Sequence, residues 1–273
     1  MKYLILRRIS QILILGLFFA SNYYGVKILQ GNLSSSLLFG VVPLSDPFAV
    51  LQLYLASFSI ASTALAGAGI VLIFYAFIAP RAFCSWVCPV NIITETARWF
   101  RVKLGYDKDK KFVNFTRSAR YYVLGFTLFI SLVTSAPAFE GVSFIGIIQR
   151  GVIYGGTLWL FVAFGVFAID AFIGDRLVCS KLCPLGAFYA IAGKFALIRV
   201  KHDATSCTSC MKCKLICPEN QVLGIIGKQS GLITSSECIS CGRCIDVCDD
   251  DALKFNIRNL RRKNESKNRH IDA

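Results

Sequence analysis

Eight of the twelve cysteines stand in two runs near the end of the 273-residue chain. "CTSCMKCKLICP" supplies Cys207, Cys210, Cys213 and Cys217, and "CISCGRCIDVC" supplies Cys238, Cys241, Cys244 and Cys248. Both runs are C-x2-C-x2-C-x3-C. Close spacing lets one loop reach three irons of a 4Fe–4S cubane, and the fourth cysteine, a helical turn later, reaches the other cluster. The expected ligand sets are therefore Cys207, Cys210, Cys213 and Cys248 for one cluster, and Cys238, Cys241, Cys244 and Cys217 for the second. The rival is a pair of zinc sites, which commonly use paired C-x2-C knuckles rather than two full runs of four. Asp249 follows Cys248 where proline is usual. Proline shapes that turn and is no ligand, so binding does not depend on it. The added acidic residues of "CDDDAL" would lower the potential of the cluster beside them.

The other four cysteines form a second pattern. "FCSWVCPV" at 83–90 and "VCSKLCPLG" at 178–186 each carry a C-x3-C-P motif. Cysteines at i and i+4 share one helix face. One pair offers only two thiolates, but two pairs on the same side of the protein offer four, and no cysteine is then left over. Three readings are open for Cys84, Cys88, Cys179 and Cys183. They hold a third iron–sulfur cluster, they are redox-active thiols or a thiol contact with a partner, or they are small packing residues. Cys-Pro also ends the first of the iron–sulfur runs, which favours the cluster.

The elements that position these motifs are apolar. Hydrophobic residues make up 55% of the chain and mean hydropathy is +0.58, which points to a membrane protein. Four segments, about 9–29, within 48–79, 121–137 and 152–173, have the length or near the length of a membrane span. Buried core helices are the alternative. The second segment is longer than one span needs. All Lys and Arg residues except Lys27 and Arg150 fall in the N-terminal tip, the central loop or the region after 174. The rule that cytoplasmic loops retain Lys and Arg then places both termini and all twelve cysteines in the cytoplasm. The same asymmetry accounts for the net charge of +14, so a nucleic-acid partner is not required. Basic residues before the first apolar run mimic a signal peptide, but the run is long and no small-residue cleavage site follows it, as in an uncleaved anchor. After each C-x3-C-P comes an apolar-periodic stretch, "NIITETARWFRVKL" and "LGAFYAIAGKFALI", read as a helix at the membrane interface. An internal duplication, about 9–105 and 121–198, is the simplest account.

No histidine lies in any of the four segments, which excludes bis-histidine haem. His202 and His270 read as solvated residues. Asp170 is the acidic residue well inside a span and the inner candidate for a quinone site, with snorkelling or capping as its ordinary role. On the outer side Asp46, Glu140, Gln149 and Arg150, with Tyr54, are candidates to face a quinone head, against an ordinary role as loop residues. Glu140 ranks first, as an ionisable group near the outer interface.

Four spans, "CSWVCP", "CSKLCP" and a double 4Fe–4S tail together resemble the NapH family over essentially the whole chain. That family supplies the membrane subunit of a quinol dehydrogenase serving periplasmic nitrate reductase. The resemblance implies a multi-pass protein of the bacterial inner membrane that oxidises menaquinol or ubiquinol. It also implies electron delivery through a periplasmic iron–sulfur partner, NapG-like, toward a cytochrome c and the reductase. It further implies that Cys84, Cys88, Cys179 and Cys183 are functionally important. Related membrane ferredoxins of the NosR type (regulation) and CcoG type (metal-centre assembly) share the motifs. NosR-like chains have a large periplasmic domain, for which the outer loops at 30–48 and 138–150 are too short. CcoG-like chains carry a further C-terminal domain. The expected fold is a four-helix membrane domain, 1–198, then an α+β two-cluster ferredoxin domain, 199–257. A basic tail, 258–273, is expected to be disordered and to brush anionic lipid.

Overall fold

A computed structural model describes residues 1–105 and 116–258; the tail beyond 258 lies outside the described residues. Helix α1 (Lys2–Tyr24) ends at Gly25, whose φ of 67° caps it in the left-handed region. Its 23 residues make about 34 Å of helix. Among the described residues it is the one helix long and apolar enough to cross a membrane. Strands β1 (Leu29–Gly31), β2 (Ser35–Leu38) and β3 (Val42–Ser45) follow as an antiparallel meander, with Leu29 opposite Leu38 and Ser36 opposite Leu44. Asp46 then caps α2 (Pro47–Ser57) by accepting from the Phe48 N–H at 3.2 Å. Helices α3 (Ser62–Phe77), α4 (Ala82–Trp86) and α5 (Val90–Lys103) complete the first half.

The second half runs α6 (Ala119–Thr134), α7 (Ala138–Val142), α8 (Phe144–Tyr154) and α9 (Leu158–Ala168). Helix α9 passes into a π-helical turn, Ile169–Ile173. A second π-turn, Val178–Leu182, leads into α10 (Pro184–Ala192). The C-terminal domain is α+β: β4 (Ile198–His202), α11 (Lys212–Ile216), β5 (Gly231–Leu232), α12 (Arg243–Asp246) and β6 (Leu253–Ile257). Its antiparallel sheet has the order β5-β4-β6.

Several elements differ from the expectation. The segment within 48–79 is two helices, broken where Phe58 adopts φ 51°. The segment at 152–173 starts at Leu158, because Gly155 and Gly156 at φ 85° and 108° end α8 first. The first outer loop is a sheet whose strands are only three or four residues long, too short to show alternation. Helix α10 buries most of its length rather than lying at an interface.

The halves interlock. Helix α1 packs on α8 of the other half, and α6 on α2. Helix α5 packs on α9, and α10 on α3. Helix α4 rests on α1 as the second π-turn rests on α6. The cysteine turns are therefore brought together by crossed partners, not by α3 and α9 lying along one another. Polarity is inverted relative to a water-soluble core. Gln11, Gln52, Ser131 and Gln149 are at most 1% exposed, whereas Ile12, Ile73, Phe126 and Phe161 are 61–72% exposed.

Two charge clusters fasten the C-terminal domain underneath. Glu219 accepts from Arg81 Nη1 at 2.9 Å, Arg120 Nη1 at 3.1 Å and Ser180 Oγ at 2.8 Å, all buried. Glu95 meets Arg7 at 2.9 Å and Arg243 at 3.0 Å, and also Arg8. The α1 start is held by Asp246, which accepts from the Tyr3 and Leu4 N–H groups at 3.1 and 3.0 Å. Burial alone would raise Glu219, but the guanidiniums of Arg81 and Arg120 hold it at about 2. Glu219→Gln would take the buried carboxylate from Arg81 and Arg120 and leave them only the partly exposed Glu237. We expect it to cost about 3–5 kcal/mol, the range for breaking a buried ion pair. Chemical denaturation should show this, with hydrogen exchange at the Ile239 and Ser240 amides rising first.

Candidate iron–sulfur centre

In the C-terminal domain the two cysteine loops have one conformation. Ser209 and Met211, two and four residues after Cys207, have φ 57° and 60°. Ser240 and Gly242, at the same offsets from Cys238, have 52° and 71°. Alternating left-handed residues curl the loop and turn successive N–H groups to its concave side, where they favour anionic sulfur. At Gly242 the close approach is also steric: a Cβ would meet the Tyr3 ring at 2.6 Å.

The sulfurs fall into two neighbourhoods. Burial raises the Cys213 thiol, and Cys210 and Cys248 add to it. Burial pushes Cys217 up to about 12, with Cys241 and Cys238 as its charged neighbours. Cys244 is raised by burial and then by Cys241, Cys238 and Cys217. All twelve cysteines are free. A buried thiol of this kind becomes a thiolate only beside a strong positive charge, which iron supplies. Among the described residues no three His, Cys, Asp or Glu side chains converge on a single ion. Cubane ligands need not, because each binds a different iron. The donor set therefore fits two cubanes held by Cys207, Cys210, Cys213 and Cys248, and by Cys217, Cys238, Cys241 and Cys244.

The other four cysteines line one cavity of about 40 Å³ between the halves, together with Arg81 and Arg176. Cys84 lies on α4 and Cys179 on the second π-turn; Cys88 and Cys183 directly precede the prolines that lead into α5 and α10. Arg81 and Arg176 each stand three residues before the first cysteine, at φ 48° and 49°. Ser85 and Ser180 each follow it. Both copies share the pattern R-x-x-C-S-x-x-C-P, whose arginine and serine the cysteine spacing alone does not single out. Burial pushes Cys88 and Cys179 well above the thiol range and Cys183 up to about 12.

Each turn is braced by a side chain of α1 or α6. Gln11 Nε2 donates to the Ser85 and Cys88 carbonyls at 3.1 and 3.2 Å, and Arg120 Nη1 to the Ser180 carbonyl at 3.2 Å. Asp170 accepts from the Val178 N–H at 3.1 Å, which makes it a brace of the second turn. Each turn also holds the C-terminal domain. Ser85 Oγ donates to the Ile239 carbonyl at 2.6 Å and Trp86 Nε1 to the Ser240 carbonyl at 3.0 Å, inside the Cys238–Cys241 loop. Ser180 does the same through Glu219, two residues after Cys217. The four-cysteine cavity thus abuts the Cys217/Cys238/Cys241/Cys244 neighbourhood, and Pro218 and Glu219 line both.

A second small cavity, about 20 Å³, gathers Asp46, Glu140 and Gln149 from the outer elements. Ser34 Oγ donates to Glu140 at 2.7 Å, Arg150 lies 3.6 Å from it, and Gln149 accepts from the Leu33 N–H at 2.9 Å. Burial raises Asp46 to about 7, partly offset by the Phe48 N–H; the Tyr189 hydroxyl stands 3.4 Å away. Phe83, Ile145 and Leu185 line both this cavity and the four-cysteine one. Tyr54 is apart from it, half-exposed against Phe58. His202 is not solvated: it is buried in β4 with Nδ1 2.9 Å from the Gln229 carbonyl. His270 lies outside the described residues.

Comparison with known proteins agrees with this division. A family described as 4Fe-4S binding domain matches twice, at residues 60–106 and 156–202, and one described as 4Fe-4S dicluster domain matches residues 199–249. The chain is 40% identical over 264 residues to the ferredoxin-type protein NapH of Haemophilus influenzae, covering 94% of this chain and 90% of that one. It is 42% identical to the methylamine utilization ferredoxin-type protein MauN of Methylorubrum extorquens and 36% to NapH of Escherichia coli, with the same coverage of both. No solved structure matches it significantly. Similarity over nearly the whole length places the chain in the NapH/MauN family of ferredoxin-type proteins, and its 4Fe-4S domains make it an iron–sulfur electron-transfer protein.

Proposed function

We propose that the protein is the membrane subunit of a quinol dehydrogenase. It takes electrons from menaquinol or ubiquinol and delivers them, through a NapG-like periplasmic iron–sulfur partner, toward a periplasmic nitrate reductase. One observation carries this reading: the Asp46–Glu140–Gln149 cavity is separated from the four-cysteine cavity by a single layer of side chains. Quinol oxidation releases two electrons and two protons, so it needs a proton acceptor within reach of one-electron centres. Glu140 and Asp46 are such acceptors and the iron–sulfur domains supply such centres. Asp170 braces a cysteine turn instead, and Gln149 serves as a hydrogen-bonding group.

The topology proposed with it has α1, α3, α6 and α9 as four spans of an inner-membrane protein, with both termini cytoplasmic. Helices α3 and α6 have 16 residues each, and α9 with its π-turn has the same length. Each makes about 24 Å against a hydrocarbon core of about 30 Å, a mismatch that a thinned bilayer accommodates. The outward-facing apolar side chains support this arrangement. A second reading, service to a methylamine-utilization system, rests on the 42% identical relative. Deletion of the gene separates the two, by loss of growth on nitrate or on methylamine.

Reporter fusions after Gly40 and Gly141 should read periplasmic, and one after Ala273 cytoplasmic; a reversal at either end would reject the topology. For the quinol, Glu140→Gln should slow quinol oxidation by membranes roughly a hundredfold, the lower range for a lost proton acceptor. Its iron content should be unchanged. A wild-type rate in this variant would remove Glu140 from the site.

A further inference from the structure

The residues matched at 60–106 contain Cys84 and Cys88, and those at 156–202 contain Cys179 and Cys183. Neither copy has the four thiolates that a cubane takes. We infer that the two copies share one 4Fe–4S cluster, held by Cys84, Cys88, Cys179 and Cys183 between the halves, with Arg176 as its counter-charge. All four cysteines and both arginines line the same cavity. Its free volume of about 40 Å³ is several times the 10–15 Å³ or so that one water takes on this scale.

Arg176 decides against the packing reading. Arg81 is 2% and Arg176 5% exposed. Arg81 Nε and Arg176 Nε and Nη2 are buried without a hydrogen-bond partner. Arg81 already has carboxylates, Glu219 at 2.9 Å and Glu237 at 3.6 Å. Asp175 pairs with Arg98 and Asp170 accepts from the Val178 N–H, so among the described residues Arg176 has no carboxylate at ion-pair distance. If the cysteines were packing residues, its guanidinium would face a cavity of neutral thiols at a large desolvation cost. An oxidised cubane core carries two positive charges and its four thiolates four negative ones. The net of two negative charges supplies the counter-charge that Arg176 lacks. Redox-active thiols are the closer rival, since Cys84 and Cys179 are half-buried while Cys88 and Cys183 are each only 5% exposed; iron content separates the two.

The cluster would exchange one electron at a time, with no proton, with the neighbouring Cys217/Cys238/Cys241/Cys244 cluster. It also stands one side-chain layer from Glu140 and Asp46. Its existence does not depend on quinol being the donor, and iron counting needs no quinol, so the two readings can fail separately.

The test uses full-length protein purified anaerobically. Wild type should carry about twelve irons, four for each cubane. Cys84→Ser and Cys179→Ser should each carry about eight and keep the electron paramagnetic resonance signals of the two C-terminal clusters, which also report correct folding. The double variant should again carry about eight, because both changes empty the same site. About eight irons in wild type would overturn the inference. So would unchanged iron in either single variant, or additive loss in the double one. Arg176→Met should keep twelve irons but lower the midpoint potential of the third cluster, since a negative centre loses a counter-charge, and Arg176→Lys should restore it. A potential unmoved in Arg176→Met would overturn the role given to the arginine.

Discussion

The buried carboxylate of Glu219 is the constraint on which the arrangement turns. It stands two residues after Cys217, at the edge of a cluster loop, and is 1% exposed. Arg81 reaches it from the first half of the N-terminal helical part, Arg120 and Ser180 from the second. A carboxylate alone in that position would lose its charge to desolvation. With several donors it stays ionised, and in doing so it fixes the C-terminal domain against both halves at once. Buried pairs of this kind contribute little net stability compared with apolar packing, but they tolerate few alternative geometries. Here the tolerated geometry sets one cysteine neighbourhood against another.

The duplication explains why both halves can meet a single residue. Equivalent positions carry equivalent tasks: Arg81 and Arg176 turn the chain, Ser85 and Ser180 hold the C-terminal domain, and Gln11 and Arg120 brace carbonyls of the two turns. Equivalence is incomplete where the partners differ. The first turn is α-helical and the second π-helical. Ser85 meets a backbone carbonyl, whereas Ser180 meets a carboxylate. The C-terminal domain is a single asymmetric body, so two symmetric turns must greet it differently.

The chemistry was more legible in the sequence than the architecture. Ligand spacing is written directly in the chain, because a cubane loop closes over a few residues; hence the two runs of four. The duplication was legible for the same reason, through two local motifs. The crossing of α5 onto α9 and α10 onto α3 was not, because periodicity shows that a helix has an apolar face but not which helix covers it. The β1–β3 meander escaped because its strands are shorter than a reliable alternation. Within a segment of nearly uniform hydropathy, the break at Phe58 left no compositional mark. Arg81 and Arg176 were visible but read only as topological charge, since a cation beside an apolar run normally marks the cytoplasmic side. Their burial with unpartnered nitrogens is a fact of packing that no spacing rule carries.

The charge rule put all the cysteines on one face, which left a proposed periplasmic acceptor a full membrane away. In the topology proposed above, the packing of the meander and α7–α8 shortens that distance. Ser34 and Glu140 meet, Leu33 and Gln149 meet, and both pairs border a cavity walled by Phe83, which lies on the same short helix as Cys84. Helix α8 contributes Ile145 to the walls of both cavities. In the proposed route, the low-dielectric layer between an outer proton acceptor and the innermost redox group is then one aromatic and two aliphatic side chains thick.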